Sequence, residues 1–277
     1  MSDEARAFVP GHVTAFFSTH RTDDPATTGS RGAGLTLADG VEATVRPADE
    51  TRVTLNGEAV DLTPVGAVLA AMGVTARVDC ETSLPPGAGF GVSGAAALGT
   101  ALAANAAVDA GRSENELVRV AHVAEVQAGT GLGDVVAQAR GGVPVRLEPG
   151  APPHGRLDGV PVPAGTRVEY VTFGELSTAE VIGGDTERLT RAGEAALERL
   201  LDRPTLPRLL AAARTFAADA GLVTDDVAAA VEAVREAGGD GSMVMLGRTV
   251  FAVGTGLSDA GYDPTVTRTH PSGATVE

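Results

Sequence analysis

The sequence lacks several residue types, and each absence excludes a class of protein. None of its 21 basic residues is lysine, tryptophan is absent, and aromatic residues make up 3% of the 277 residues. Cys80 is the single cysteine, which excludes an internal disulfide and a cysteine-based metal cluster. No apolar run approaches the roughly 20 residues of a membrane span. The start, MSDE, lacks the basic residues of a secretory signal. We therefore expect a cytoplasmic protein with an aliphatic core and no membrane partner.

The charge balance excludes a further class of partner. A net charge of −15 argues against nucleic acid, because the phosphates would be repelled. The excess of acidic residues, together with the missing lysine, leads to the hypothesis of a halophilic protein in a high-salt cytoplasm, where salt screens the repulsion between surface carboxylates. The alternative is an acidic composition that reflects only a GC-biased gene.

A glycine-rich stretch over residues 84–96, LPPGAGFGVSGAA, lies between a strand-like run and an alanine-rich, helix-like run. It places backbone N–H groups at the positive end of a helix and so predicts a phosphate site. A P-loop is excluded because its lysine is missing. Residues 89–94 fit the dinucleotide pattern G-x-G-x-x-G, whose usual acidic residue is only loosely matched by Asp109. The remaining interpretations are a kinase loop with Ser93 at the helix start and a glycine turn without a ligand.

The order of the predicted elements indicates an α+β fold. Short strands are expected within residues 4–62, and Asn56-Gly57 predicts a hairpin turn. Ser113 and Glu116 form a capping-box pattern that starts a helix ending near Gly129. The Pro- and Gly-rich residues 149–165 predict a boundary between domains at 1–150 and 151–277. The second half contains strands, helices and more strands, typical of an antiparallel sheet with helices on one face.

Three polar residues stand out around the helix that precedes Gly129. Glu125 and His122 lie on one face of this apolar helix, and a buried carboxylate needs a cation, a metal or a strong donor. Asp134 follows in a second glycine loop. The structural alternatives are an exposed Glu125 at a fraying helix end, a core His122 bonded to backbone, and Asp134 as a plain helix cap.

Together these segments resemble the GHMP kinases, the galacto-, homoserine, mevalonate and phosphomevalonate kinases. The resemblance covers most of the chain: residues 9–14 (VPGHVT) match the first motif, residues 85–96 match the nucleotide loop, and Glu125 and Asp134 match the acidic pair. Residues 238–242 are taken as a weak third motif, and His12 stands where many relatives have lysine. The resemblance implies a two-domain fold, with an N-terminal part like ribosomal protein S5 domain 2 and a C-terminal ferredoxin-like antiparallel sheet.

The resemblance also implies roles for the site residues and the cofactors ATP and Mg²⁺. Ser93 and Glu125 are expected to hold Mg²⁺, which prefers oxygen ligands, and Asp134 is expected to accept or orient the proton of the attacking hydroxyl. The nucleotide is expected to bind along a single loop, which comprises Pro86, Gly87, Ala88, Gly89, Phe90, Gly91, Val92, Ser93, Gly94 and Ala95.

Three short segments, residues 10–17 (PGHVTAFF), 29–34 (GSRGAG) and 176–178 (LST), together resemble the archaeal pantoate kinases, a branch of this family that phosphorylates pantoate in coenzyme A biosynthesis. This resemblance implies that Ser30, His122, Arg146 and Thr178 contact the substrate, with Arg31 as a weaker candidate. Alternatives are another small-molecule kinase of the family, of homoserine or mevalonate type, and a nucleotide-binding relative without catalysis. Relatives also suggest a homodimer.

Overall fold

The computed structural model describes residues 4–174 and 186–277. Its first feature is a long antiparallel hairpin of β1 (Ala5–His20) and β2 (Gly29–Pro47). The sequence predicted only short strands here, at residues 6–9 and 43–46. Most of both strands is buried, so the polar–apolar alternation of a half-exposed strand is missing. Two register shifts, at Pro10/Gly11 and Thr14/Phe16, interrupt the pattern further.

The hairpin is the centre of an eight-stranded sheet with the order β12-β1-β2-β5-β3-β4, in which β6 pairs with β2 and β7 with β6. The added strands are β3 (Arg52–Leu55), β4 (Glu58–Ala59), β5 (Ala76–Thr82), β6 (Pro144–Glu148), β7 (Arg156–Gly159) and β12 (Thr275–Val276). Asn56 and Gly57 both have positive φ, 51° and 82°, between β3 and β4. The predicted hairpin turn is thereby confirmed.

Four helices complete the first part of the fold: α1 (Thr63–Met72), α2 (Val92–Ala107), α3 (Glu114–Ala128) and α4 (Asp134–Arg140). Alanine and glycine let α2 approach the sheet closely, and a Cβ on Gly99 would lie 2.9 Å from that of Ala43. The predicted capping box of Ser113 and Glu116 starts α3, and Gly129 ends it in the left-handed conformation. Packing of the helices brings the last turn of α3 and the first turns of α2 and α4 close together.

The second sheet is antiparallel throughout, with the order β11-β8-β10-β9. Its strands are β8 (Arg167–Gly174), β9 (Asp240–Val244), β10 (Arg248–Val253) and β11 (Thr265–Arg268). Its helices are α5 (Glu187–Asp202), α6 (Leu206–Ala220), α7 (Asp225–Glu236) and α8 (Gly256–Asp259). Gly193 of α5 packs against the backbone of Phe17 in β1, and Phe216 of α6 contacts Phe16 and Phe17. The expected antiparallel sheet with helices is confirmed.

The first sheet takes strands from both sides of residue 150. Strand β7 follows that position and pairs with β6, and β12 at the end of the chain pairs with β1. The boundary between 150 and 151 stays a prediction. Among residues 4–174 and 186–277, no helix combines the length and apolarity needed to cross a membrane.

Candidate active site

A cleft of about 400 Å³ lies where the glycine-rich loop, α3, α4 and the β9–β10 turn meet. Ser93, Glu125 and Asp134 all line it, although they come from three different helices. Its other lining residues are Thr14, Leu55, Asp61, Leu62, Thr63, Pro64, Pro86, Gly87, Gly89, Phe90, Gly91, Val92, Gly94, Ala128, Thr130, Met245 and Leu246. The structure thus brings the three predicted catalytic residues together.

The glycine-rich loop forms one wall of this cleft. Gly87, Gly89 and Gly91 have positive φ, and Gly91 caps α2 in the left-handed conformation. The backbone therefore enters α2 with its free N–H groups at the cleft, the arrangement that favours an anion. Of the ten residues predicted to bind nucleotide, all but Ala88 and Ala95 line the cleft. Those two are buried.

Ser93 and Glu125 form a hydrogen-bonded pair at the base of the loop. The Ser93 Oγ donates to Glu125 Oε1 over 2.5 Å, and Thr130 Oγ1 donates to the same oxygen over 2.9 Å. Glu125 is only 3% exposed. Burial, with the nearby Asp134 charge adding to it, raises the pKa of Glu125 to about 7 despite these two donors. A cation at this position would favour the ionised form, so the pair fits a metal ion that prefers oxygen ligands.

Asp134 is the first residue of α4 rather than its cap, which is Gly133. His12 of β1 lies against it, with 2.7 Å between His12 Nδ1 and Asp134 Oδ1, and Thr14 Oγ1 lies 3.5 Å from the same carboxylate oxygen. Burial would raise the pKa of Asp134, but the hydrogen bond from His12 and the charge of Arg146 outweigh it, so this pKa is lowered. Asp134 is therefore an ionised acceptor at neutral pH.

Arg146 lies behind Asp134 in a buried layer, together with Ser30. Arg146 is 1% exposed, and its Nε donates to Ser30 Oγ over 3.2 Å. Burial lowers the pKa of Arg146 to about 10, so it remains a cation. Its Nη1 has no hydrogen-bond partner within the described residues. A Cβ on Gly133 would lie 2.3 Å from Ser30 Oγ and 2.7 Å from Arg146 Nε, so only glycine lets the loop pass this close to the pair.

The other predicted substrate contacts have different surroundings. His122 is buried, and its Nε2 lies 2.8 Å from the Thr28 carbonyl oxygen. This is the backbone-bonded arrangement of a structural histidine. Like Ser30 and Arg146, His122 is not among the residues that line the cleft. Arg31 is engaged by Glu194 of α5 and by the Leu147 carbonyl. Thr178 lies outside the described residues.

The segment that the sequence offers as a third motif, residues 238–242, lies away from the cleft. None of residues 238–242 lines the cleft; Gly239 packs near Val234, and Asp240 pairs with Arg214. The following β9–β10 turn contacts the glycine-rich loop instead, because a Cβ on Gly247 would lie 2.0 Å from the Ala88 carbonyl oxygen. A single glycine, Gly247, therefore allows this turn to approach the loop closely.

Four residues around the cleft received no role from the sequence: His12, Thr14, Thr130 and Gln138. Gln138 lies one turn after Asp134 on α4 and donates from Nε2 to the Gly91 carbonyl oxygen over 2.9 Å. Its spacing of four from Asp134 was a usable signal, because residues at this spacing share a helix face. His12 and Thr14 alternate on β1, but nothing local indicates which residue they face.

Comparison with known proteins identifies the family. Residues 62–142 match the family model described as GHMP kinases N terminal domain. The chain is 37% identical over 263 residues to a pantoate kinase of Thermococcus kodakarensis, covering 90% of this chain and 87% of that protein. The chain belongs to the GHMP kinase family. A pantoate kinase of Methanospirillum hungatei is 34% identical over 261 residues, covering 90% of this chain and 86% of that protein.

The GHMP kinase assignment extends to the fold. A solved structure described as a phosphotransferase related to the CoA biosynthesis pathway superposes with a TM-score of 0.88 at 30% identity, covering 99% of this chain and 98% of that one. The predicted two-domain α+β GHMP kinase fold is confirmed. The dinucleotide-binding interpretation of the glycine pattern is left without support, because the chain belongs to the GHMP kinase family and its loop leads into α2 with Ser93 in the first turn.

Proposed function

We propose that this protein is a pantoate kinase, which transfers the γ-phosphoryl group of ATP to the hydroxyl of pantoate that becomes 4-phosphopantoate. The oxygen of that hydroxyl bonds to the γ-phosphorus, the bond from this phosphorus to the β–γ bridging oxygen breaks, and ADP leaves. The proton of the hydroxyl passes to the Asp134 carboxylate. The three pantoate kinases among its relatives, each covering about nine-tenths of the chain, support this substrate.

The convergence of Ser93, Glu125 and Asp134 on one cleft carries the proposal. Phosphoryl transfer requires positioning and stabilisation of charge more than covalent catalysis. The loop N–H groups at the start of α2 would hold the phosphates, and Asp134 would accept the proton. A protein that only bound nucleotide would need no ionised acceptor beside the position of the terminal phosphate.

Ser93 and Glu125 would hold Mg²⁺ with one hydroxyl and one carboxylate oxygen, and the nucleotide phosphates would supply further ligands. When bound, Mg²⁺ neutralises charge on the phosphate oxygens. The pKa of Glu125, raised to about 7, supports this fit because a buried carboxyl without a cation favours its neutral form.

Arg146 and Ser30 support an acceptor that carries a carboxylate. Within residues 4–174 and 186–277, Nη1 of Arg146 has no hydrogen-bond partner, so this buried cation has donor capacity to offer, and guanidinium matches carboxylate in two-point geometry. Arg146, Ser30 and Thr178 remain the proposed substrate contacts, and His122 is proposed to support them. The contact of His122 with the Thr28 carbonyl supports only an indirect role through the Thr28–Ser30 segment.

The direct test is to incubate the protein with ATP, Mg²⁺ and pantoate in buffers of low and high salt, and to detect 4-phosphopantoate by mass spectrometry. Homoserine and mevalonate serve as comparison acceptors. Of the three acceptors, we expect only pantoate to give a phosphorylated product. Product from homoserine or mevalonate and none from pantoate would place the protein in another branch of the family. ATP binding without ADP formation on any acceptor would favour the non-catalytic alternative.

A further inference from the structure

His12 joins two parts of the candidate site through two different groups. Its backbone N–H donates to the Phe90 carbonyl oxygen over 2.9 Å, which ties β1 to the glycine-rich loop. Its side chain lies on Asp134, with 2.7 Å between Nδ1 and Oδ1. A substitution at position 12 therefore removes the contact with Asp134 while it leaves the backbone link to the loop in place.

The protonation of this pair follows from its surroundings. His12 is fully buried, and burial lowers its pKa even though Asp134 acts in the opposite direction. The nearby Arg146 charge also lowers the pKa of His12. Asp134 is ionised and can only accept, so the single proton of a neutral imidazole lies on Nδ1. The other nitrogen, Nε2, has no partner within the described residues and points at Gly34, where a Cβ would lie 2.4 Å away.

This arrangement has a consequence for Asp134. The hydrogen bond from His12 is made to Oδ1, and Asp134 also lines the cleft. The other oxygen, Oδ2, lies toward Gly131, 3.6 Å from the position of a Cβ on that residue. The Thr14 hydroxyl lies 3.3 Å from His12 Nδ1 and so restricts the ring further. A neutral donor orients the carboxylate without adding a second cation beside Arg146, and a second cation would reduce the ability of the carboxylate to accept a proton.

We propose that His12 is a positioning residue for the phosphoryl transfer: its Nδ1–H holds Asp134 so that the second carboxylate oxygen faces the attacking hydroxyl. The inference rests on the proposed function for its reaction, and on the buried contact between His12 and Asp134 for its geometry. Misplacement of a reacting group by about 1 Å can cost roughly 10²-fold in rate. The expected effect is therefore on turnover rather than on nucleotide binding.

The test compares His12→Asn with His12→Leu. Asparagine places an N–H donor near the position of Nδ1, and leucine has the same branched shape without a donor. The leucine variant should lose about 10²-fold in kcat with little change in the KM for ATP, and the asparagine variant should recover at least about tenfold of this loss. Thermal unfolding of both variants checks that they are equally folded.

Two results would overturn the inference: a leucine variant with wild-type kcat, or equal kcat for the two variants. If the leucine variant does not fold, His12→Gln replaces it in the comparison. The glutamine amide reaches the position of Nε2 rather than that of Nδ1, so the kcat of this variant should be lower than that of the asparagine variant. The comparison uses whichever acceptor the wild-type protein phosphorylates. Absence of turnover with pantoate then refutes the proposed function, whereas an equal kcat for the two variants refutes only the role of His12.

Discussion

Ser93 and Glu125 are 32 positions apart in the chain, yet the hydroxyl of Ser93 donates to the carboxyl of Glu125 over 2.5 Å. The contact joins the first turn of α2 to the last turn of α3. It places a carboxyl group beside backbone N–H groups that favour anions. A phosphate and a carboxylate can share this place only with a cation between them, so activity should depend on the charges in the cleft.

Asp134→Asn should lower kcat by about 10²–10⁴-fold, because the amide cannot accept the hydroxyl proton. ATP binding, followed by calorimetry, should stay close to that of the wild type, since the loop N–H groups are unchanged. Asp263→Asn is the control, because Asp263 is exposed and does not line the cleft. Unchanged turnover in the Asp134 variant would remove this residue from the proton transfer.

Activity should depend on pH through Glu125. Its raised pKa, about 7, means that the ligand-free carboxyl becomes protonated as the pH falls below that value. Mg²⁺ requires the ionised form, so the Mg²⁺ concentration for half-maximal rate should rise as the pH falls from about 8 to about 6. The stability of the metal-free protein should change with pH in the opposite direction to Mg²⁺ binding. The contribution of Glu125 to the free energy of unfolding is present below the ordinary glutamate pKa and is lost as the pH rises through about 7.

Glu125→Gln should remove this pH dependence, because the amide does not titrate, and should raise the half-saturating Mg²⁺ at least about tenfold. Glu114→Gln, on the exposed start of the same helix, is the matched control. A glutamine variant with the Mg²⁺ requirement of the wild type at every pH would show that Glu125 is not a ligand.

Arg146→Met should raise the KM for pantoate by about tenfold or more and leave the KM for ATP nearly unchanged, since a charge-assisted contact is worth about 1.5–3 kcal/mol. Methionine fills much of the space of this buried side chain and so limits the loss of stability. Arg156→Met, on the exposed strand β7, is the control. A larger change in the KM for ATP would indicate a contact with the nucleotide instead.

Gln138→Met should weaken ATP binding severalfold, because its amide holds the Gly91 carbonyl at the start of α2. The free energy of unfolding should fall by about 1 kcal/mol, the usual net value of one hydrogen bond. Gln127→Met on the exposed side of α3 is the control. Equal ATP affinity in both variants would show that α4 does not position the loop.

The melting temperature should rise as KCl increases from about 0.1 M to about 3 M, because salt screens repulsion between the excess carboxylates. The net charge of −15 in a chain without lysine motivates this expectation. A melting temperature that is constant or falls across the series would favour the compositional alternative.

Local structure was predictable from the sequence because its signals lie within a few residues of the element that they form. The capping box of Ser113 and Glu116 and the left-handed Gly129 define α3, and Asn56-Gly57 forms the predicted turn between β3 and β4. The glycine loop likewise indicates an anion site from its local sequence alone. Each of these features depends on backbone geometry and hydrogen bonds between near neighbours.

The tertiary structure decided which side chains from distant parts of the chain contact each other. The long strands β1 and β2 are buried on both faces, so their sequences lack the alternation of polar and apolar residues that would predict their length. Nothing in the local sequence predicts that His12 contacts Asp134, 122 positions away. The same applies to the turn at Gly247, which reaches the loop only through packing of the second sheet. The sequence by itself determined which chemical groups are present and where these helices begin and end. The distances between groups on different elements were decided only by the packing of those elements. The physical reason is that burial and charge act between residues that are close in space, whatever their separation along the chain.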